Sequence, residues 1–266
     1  MGIEYDGTDY HGWQRQEHIS SVQAVVEKAI SRVADEPIEV VCAGRTDKGV
    51  HALGQVIHFD TFAKRSEQAW IMGTNRYLPP SVTVHWIQLA DTNFHARFSA
   101  TARRYAYLLY CHPTRSSILR QNVTWEHKKL NLTAMREASQ YLLGEHDFSS
   151  FRGKDCQAKT PVRTVLHLNI IEKSPLVIID IKANAFLYHM VRNIVGALLA
   201  VGHEKQQPAW IKEVIEATDR RCADITAPAN GLHFLEVDYP AQFKLPIPIV
   251  LQAVPPIVNL STFNVG

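Results

Sequence analysis

Residues 38–60 read IEVVCAGRTDKGVHALGQVIHFD. Two strand-like runs, Ile38 to Ala43 and Gln55 to Asp60, flank a loop in which Gly44 and Gly49 bracket Arg45 and Asp47. Glycine reaches backbone angles closed to other residues, so the chain can turn sharply there. Strand, glycine-punctuated loop and strand make an antiparallel pair. This pair is the centre of a longer pattern. Upstream, Ile3 to Tyr5 is a short strand. A helix over 21–34 follows, with Val22, Val25, Val26, Ala29, Ile30 and Val33 at helical spacing and a capping box from Ser20 and Gln23. Downstream, Ser66 caps a helix from Glu67 to Tyr77, Pro79-Pro80 ends it, and Val82 to Leu89 is a strand. The order is strand, helix, strand, strand, helix, strand.

The second half repeats that order. Arg104 to Tyr110 is a strand, and Leu132 to Leu143 a helix capped by Asn131 with Gly144 past its end. Arg163 to Glu172 and Leu176 to Ala183 are strands around a Ser174-Pro175 turn. Leu187 to Val201 is an amphipathic helix, Pro208 to Ala217 an added one, and His233 to Val237 the last strand. Two such copies give an α+β fold: tandem ferredoxin-like, RRM-like split βαβ halves with antiparallel sheets and helices on one face. The expected division is residues 1–100, residues 101–240, and a Pro-rich apolar tail, 241–266. From Pro240 onward the chain holds five of its 13 prolines and a single charge, Lys244. Its Leu, Ile and Val content favours packing over disorder.

Composition is that of an ordinary globular protein: 266 residues, 46% hydrophobic and 20% charged, with a formal charge of +2. That total does not declare a nucleic-acid partner, but its distribution is uneven. Between Thr92 and Trp125 there is no carboxylate, while Arg97, Arg103, Arg104, Arg115 and Arg120 all fall there. Such a stretch suits either phosphate binding or a solvated face. The four cysteines, at 42, 111, 156 and 222, form no Cys-x-x-Cys pair, and no Cys/His spacing suits zinc. No metal is expected, and free thiols fit a reducing cytoplasm. The first residues lack the basic-then-apolar order of a signal peptide. No apolar run reaches the roughly 18 residues of a membrane span; the nearest, 187–201, contains His189 and Arg192.

In the 44–51 loop, a cation two residues from Asp47 favours the ionised carboxylate, competent as nucleophile or base. Read by itself, such a loop is more often an ordinary turn with a solvated ion pair. The stretch Gly44-Arg45-Thr46-Asp47-Lys48-Gly49-Val50-His51-Ala52 resembles the signature of the bacterial tRNA pseudouridine synthase A family. Other blocks resemble it in the same order: 4–7, Gly12-Trp13-Gln14-Arg15-Gln16, 94–100, Arg103-Arg104-Tyr105, and Asn184-Ala185-Phe186 through Met190-Val191-Arg192-Asn193. Together they span nearly the whole chain.

The resemblance implies an isomerase converting uridines 38, 39 and 40 of the tRNA anticodon arm to pseudouridine. It further implies a cytoplasmic homodimer with no cofactor and an active site in a cleft between the halves. By the same resemblance, Asp47 is the catalytic aspartate and Arg45 aids base flipping. Tyr105 stacks on the base, and Arg192 pairs with the carboxylate. The segment Phe94, His95, Ala96, Arg97 and Phe98 contacts RNA. Arg103 and Arg104 are further expected phosphate contacts, with Arg15, Arg65, Lys154 and Lys159 as weaker ones. A non-catalytic RNA-binding module and an aspartate-nucleophile hydrolase are the competing readings. Asp47 would either attack ribose C1′ or take a proton from C2′ to give a glycal, and sequence leaves both routes open.

Overall fold

The computed structural model describes residues 1–246; the remainder of the expected tail, 247–266, lies outside the described residues. In chain order the elements are β1 (Gly2–Tyr5), α1 (Val22–Ala34), β2 (Val41–Cys42), β3 (His51–His58), α2 (Glu67–Tyr77) and β4 (Val82–Trp86). Then come β5 (Ala102–Cys111), β6 (Thr124–Glu126), α3 (Leu132–Gln140), β7 (Gly144–Asp147), β8 (Val162–Lys173), β9 (Leu176–Ala183), α4 (Met190–Gly202), α5 (Trp210–Ala217) and β10 (Leu232–Asp238). Two compact units emerge. One is Met1–Thr101 with the described residues from Phe234 on, and the other is Ala102–His233. The first unit thus takes up most of β10, which the repeat places at the end of the second half.

In the first unit β1 lies between β4 and β3, antiparallel to both. β2 joins β3 antiparallel through Val41–His58 and Cys42–Ile57. So β1 and β2, linked by α1, are split by β3, the arrangement the repeat implies. β10 also borders β3. The 44–51 loop joins β2 to β3. The expected strand from Ile38 shrinks to two paired residues, and its partner begins four residues early, at His51. The helix start also differs. Ser21 is the N-cap of α1, its hydroxyl accepting from the Ala24 amide, while Gln23 turns to the Arg15 amide and Glu27. Val22, Val26, Ala29 and Ile30 are buried, each larger side chain contributing about 1.5–3 kcal/mol.

In the second unit β9 lies between β5 and β8, antiparallel to both, with β7 outside β8. β5 and β8, joined through α3, are split by β9, as β1 and β2 are by β3. Two strands lack a sequence forecast: β6, which pairs parallel to β5, and β7, which opens at Gly144 with φ +89°. The first breaks the all-antiparallel expectation. It is three residues long and carries no alternation to reveal it. α4 starts at Met190, three residues later than expected, because His189 has left-handed φ of 61°. Among the described residues no helix is long and apolar enough to cross a membrane.

Candidate active site

The 44–51 loop is held from several sides. Thr46, 7% exposed, bonds through its hydroxyl to the buried phenol of Tyr5 at 2.8 Å. Its carbonyl accepts from the Trp13 amide at 3.0 Å. Gln55 is fully buried on β3; its amide nitrogen donates to the Gly44 carbonyl at 2.6 Å, and its oxygen accepts from the Gly44 amide at 3.3 Å. The Asp47 carbonyl accepts from Val50, and Gly49 takes φ of 77°. Gly12 has φ of 95°, and a Cβ there would fall 2.7 Å from the Thr46 carbonyl oxygen. The residues after β1 therefore lie directly against the loop, and only glycine permits the approach. Asp47 is thus a half-buried carboxylate on a fixed backbone, with exposed Arg45 two residues away.

Nearby, His51 is buried; its Nδ1 accepts from the Gly7 amide at 3.1 Å and lies 3.1 Å from Asp6 Oδ1. Burial opposes charge on Asp6, but the Thr8 hydroxyl and amide and His51 outweigh it and hold the carboxyl below its ordinary range. Burial also pushes the Cys42 thiol up to about 12, against the pull of Arg45 and Arg97, whose charges both reach it. Ala43, the residue before the 44–51 loop, packs in one buried cluster with Phe94 and Ala96.

The 94–98 segment has an inner and an outer side. Phe94 and Ala96 are buried in a core with Ala43, Val56 and Trp86. The Ala96 amide donates to His58 Nδ1 at 3.1 Å. His95 Nδ1 accepts from the Arg97 and Phe98 amides, which closes the turn. Outside, Phe98 is 75% exposed, stacks on the His95 ring at 4.3 Å, and lies 5.5 Å from the Arg97 guanidinium carbon.

In the second unit Tyr105 is 8% exposed and meets Phe186 edge-on at 5.1 Å. Arg103 Nη1 donates to the Asn184 carbonyl at 3.1 Å, so both residues converge on the 184–186 segment. Arg192 Nε donates to the Ala227 carbonyl at 2.8 Å, and the Ala227 amide returns a bond to the Arg192 carbonyl. One turn on, a Cβ at Gly196 would sit 1.8 Å from the Ile225 carbonyl oxygen, so the 225–227 segment rests on α4 at Arg192. Arg192 also draws the Tyr107 phenol down, although burial dominates and raises it.

The other expected RNA contacts divide. Arg104 is paired with Asp180, Nε to Oδ1 at 2.8 Å and Nη2 to Oδ2 at 2.9 Å. Arg15 bonds buried Glu27 at 2.8 Å. Arg65 donates to the Lys64 carbonyl, and Lys154 and Lys159 are exposed. Sequence reading missed Gln55, Tyr5 and Thr46 as the loop's supports. The available signal was Gln55 itself, a polar residue inside an apolar strand run. It missed Asp180 for the same reason, a lone carboxylate in Leu176–Ala183.

The tRNA pseudouridine synthase family matches residues 1–99 and 138–240. Proteins named tRNA pseudouridine synthase A are similar over most of the chain. That of Vibrio cholerae is 54% identical over 246 residues, 92% of this chain and 93% of its own. That of Aeromonas hydrophila is 55% identical, covering 92% and 91%, and that of Salmonella paratyphi B 53%, covering 93% and 92%. A solved Cbf5-Nop10-Gar1 complex overlays at TM-score 0.37 with 12% identity, covering 89% of this chain but 48% of that one.

Proposed function

The chain belongs to the tRNA pseudouridine synthase family, and on that premise we propose that Asp47 carries the reaction at uridines 38, 39 and 40 of the tRNA anticodon arm. The protein is an isomerase that converts uridine in tRNA to pseudouridine. The conversion breaks the bond from ribose C1′ to base N1, turns the base, and joins C1′ to C5. The proton on C5 leaves and N1 gains one, so atoms and electrons balance without a co-reactant. The step requires an ionised carboxylate beside the sugar. Asp47 supplies it, by attack on C1′ or by removal of the C2′ proton.

What supports this reading is the held loop. A carboxylate that reacts must be placed within fractions of an ångström, and the bonds of Gln55, Thr46 and Trp13 fix the backbone that carries Asp47. Its partial burial keeps it within reach of substrate. Arg45 takes the space of the extruded base, whose unstacking costs a few kcal/mol. Tyr105 offers a stacking face worth about 1–3 kcal/mol. Arg192 contributes a positive charge that favours the ionised carboxylate. Arg97, Phe98 and Arg103 bind the RNA, chiefly at phosphates and by shape. The working form is a cytoplasmic homodimer without cofactor, in keeping with the motif resemblance.

The deciding experiment is tritium release from tRNA carrying 5-tritiated uridine, without added metal or nucleotide. Asp47→Asn is expected to abolish release while tRNA affinity stays within about threefold, since the isostere keeps the loop's shape. Full activity in that variant would end the proposal. Binding without release by the unaltered enzyme would favour the RNA-binding module, and free base as product the hydrolase.

A further inference from the structure

The chain after β10 turns back onto the 94–98 segment. Tyr239 donates from its phenol to the Ala96 carbonyl at 2.6 Å. Its ring lies 5.1 Å from Phe94, and Phe243 meets Phe94 edge-on at 5.1 Å. The Phe243 carbonyl accepts from Gln88 at 3.1 Å, which pins the strap at its far end. Val237, Tyr239, Phe243 and Leu245 all pack against the core that contains Phe94 and Ala96. The backbone of Ala96 is therefore clamped on both sides of its Cα, its amide on His58 Nδ1 and its carbonyl on Tyr239. Directly beyond the clamp stand exposed Arg97 and Phe98.

From this geometry we infer that Tyr239 and Phe243 are positioning residues for tRNA binding, which hold the 94–98 turn so that Arg97 and Phe98 meet the RNA already ordered. The inference rests on the proposed reading of Arg97 and Phe98 as RNA contacts. The physical reason is entropic. An exposed arginine on a loose turn must be ordered when it binds, and a preformed turn lowers that cost. The phenol supplies one directional bond to a backbone carbonyl, and the two aromatic edges stop the turn from rolling. The strap's hydrogen bonds and ring contacts to Phe94, Ala96 and Gln88 bear on the turn, so its expected effect is on binding and not on the chemical step.

The test is steady-state kinetics and tRNA affinity on the full chain. Tyr239→Phe removes only the hydroxyl and is expected to raise KM for tRNA about three- to tenfold, with kcat within twofold. Phe243→Leu is expected to move KM the same way, and Phe243→Tyr to restore it. Thermal melting checks that each variant is folded at assay temperature. Arg97→Ala tests the underlying reading separately, and unchanged affinity there would remove that reading, whatever the strap does. If Arg97→Ala weakens binding, Tyr239→Phe is combined with it. A double variant no weaker than Arg97→Ala alone supports action through the turn. Additive losses, a fall in kcat, or unchanged KM in a folded Tyr239→Phe variant would overturn the inference.

Discussion

At the residue scale, the carboxylate's position depends on neutral neighbours. Gln55 bonds both backbone groups of Gly44 and reaches the Tyr5 phenol at 3.4 Å. Tyr5 is almost wholly buried, and desolvation raises its phenol well above the ordinary range, so it stays a neutral hydrogen-bonding group. Replacing Gln55 with leucine keeps the volume close but strands the amide and carbonyl of Gly44, while the Tyr5 phenol keeps its bond to Thr46. Such a loss costs about 1–3 kcal/mol. Gln55→Leu is expected to lower the urea midpoint accordingly and to reduce kcat at least tenfold, while tRNA affinity changes little. Chemical denaturation and tritium release measure the two effects. Lowered stability with normal kcat would mean that Asp47 does not depend on this support. The loop that carries Asp47 and Arg45 was legible because two glycines set it apart. The supports were not, because a hydrogen bond between Gln55 and a loop eleven residues away leaves no local pattern.

At the element scale, β5, β8 and β9 share a buried charge. Asp180 is 2% exposed on β9, paired with Arg104 on β5, and its Oδ2 lies 3.2 Å from His167 Nε2 on β8. Burial disfavours the Asp180 charge, but His167 and Arg104 more than offset this, and the carboxyl titrates below its ordinary range. A carboxyl with a depressed folded pKa adds stability above its unfolded value, about 3.9, and loses it as pH falls toward the folded one. The enzyme is therefore expected to lose stability between about pH 5 and pH 3 more steeply than Asp180→Asn, in urea midpoints taken across that range. Parallel curves would show that the pair does not govern acid stability. The elements themselves were largely readable. Helical spacing located α1, the Ser174-Pro175 turn located β9, and Ser66 with Pro79-Pro80 bounded α2; Ser66 and Asn131 cap as their sequence contexts indicate. What escaped was set by tertiary contact. The paired register of β2 on β3 covers just Val41 and Cys42, and β6 and β7 exist only through the strands beside them.

At the scale of the whole molecule, the question is how a chain of net charge +2 binds a polyanion. So small a total gives little general attraction, and affinity must come from a few placed guanidinium groups that displace counterions from phosphates. Counting arginines between Thr92 and Trp125 overstates the supply, because the structure distributes their charge unequally. Arg104 faces a full opposite charge at 2.8 and 2.9 Å, and its side chain is 18% exposed. Arg97 is exposed over the Phe98 ring on a clamped turn. Each phosphate contact adds nearly one unit to the slope of log affinity against log salt. Arg97→Ala is expected to flatten that slope by about one and to weaken binding evenly across tRNA substrates. Arg104→Ala alone strands a buried carboxylate and is expected to cost about 3–5 kcal/mol in stability, which obscures its effect on RNA. Arg104→Leu with Asp180→Leu removes both charges together, keeps the net charge, and avoids the stranded carboxylate. That pair is expected to leave the salt slope unchanged in filter-binding titrations from about 50 to 200 mM salt. A slope that falls by one in the paired variant would make Arg104 a phosphate contact after all, with Asp180 only its resting partner.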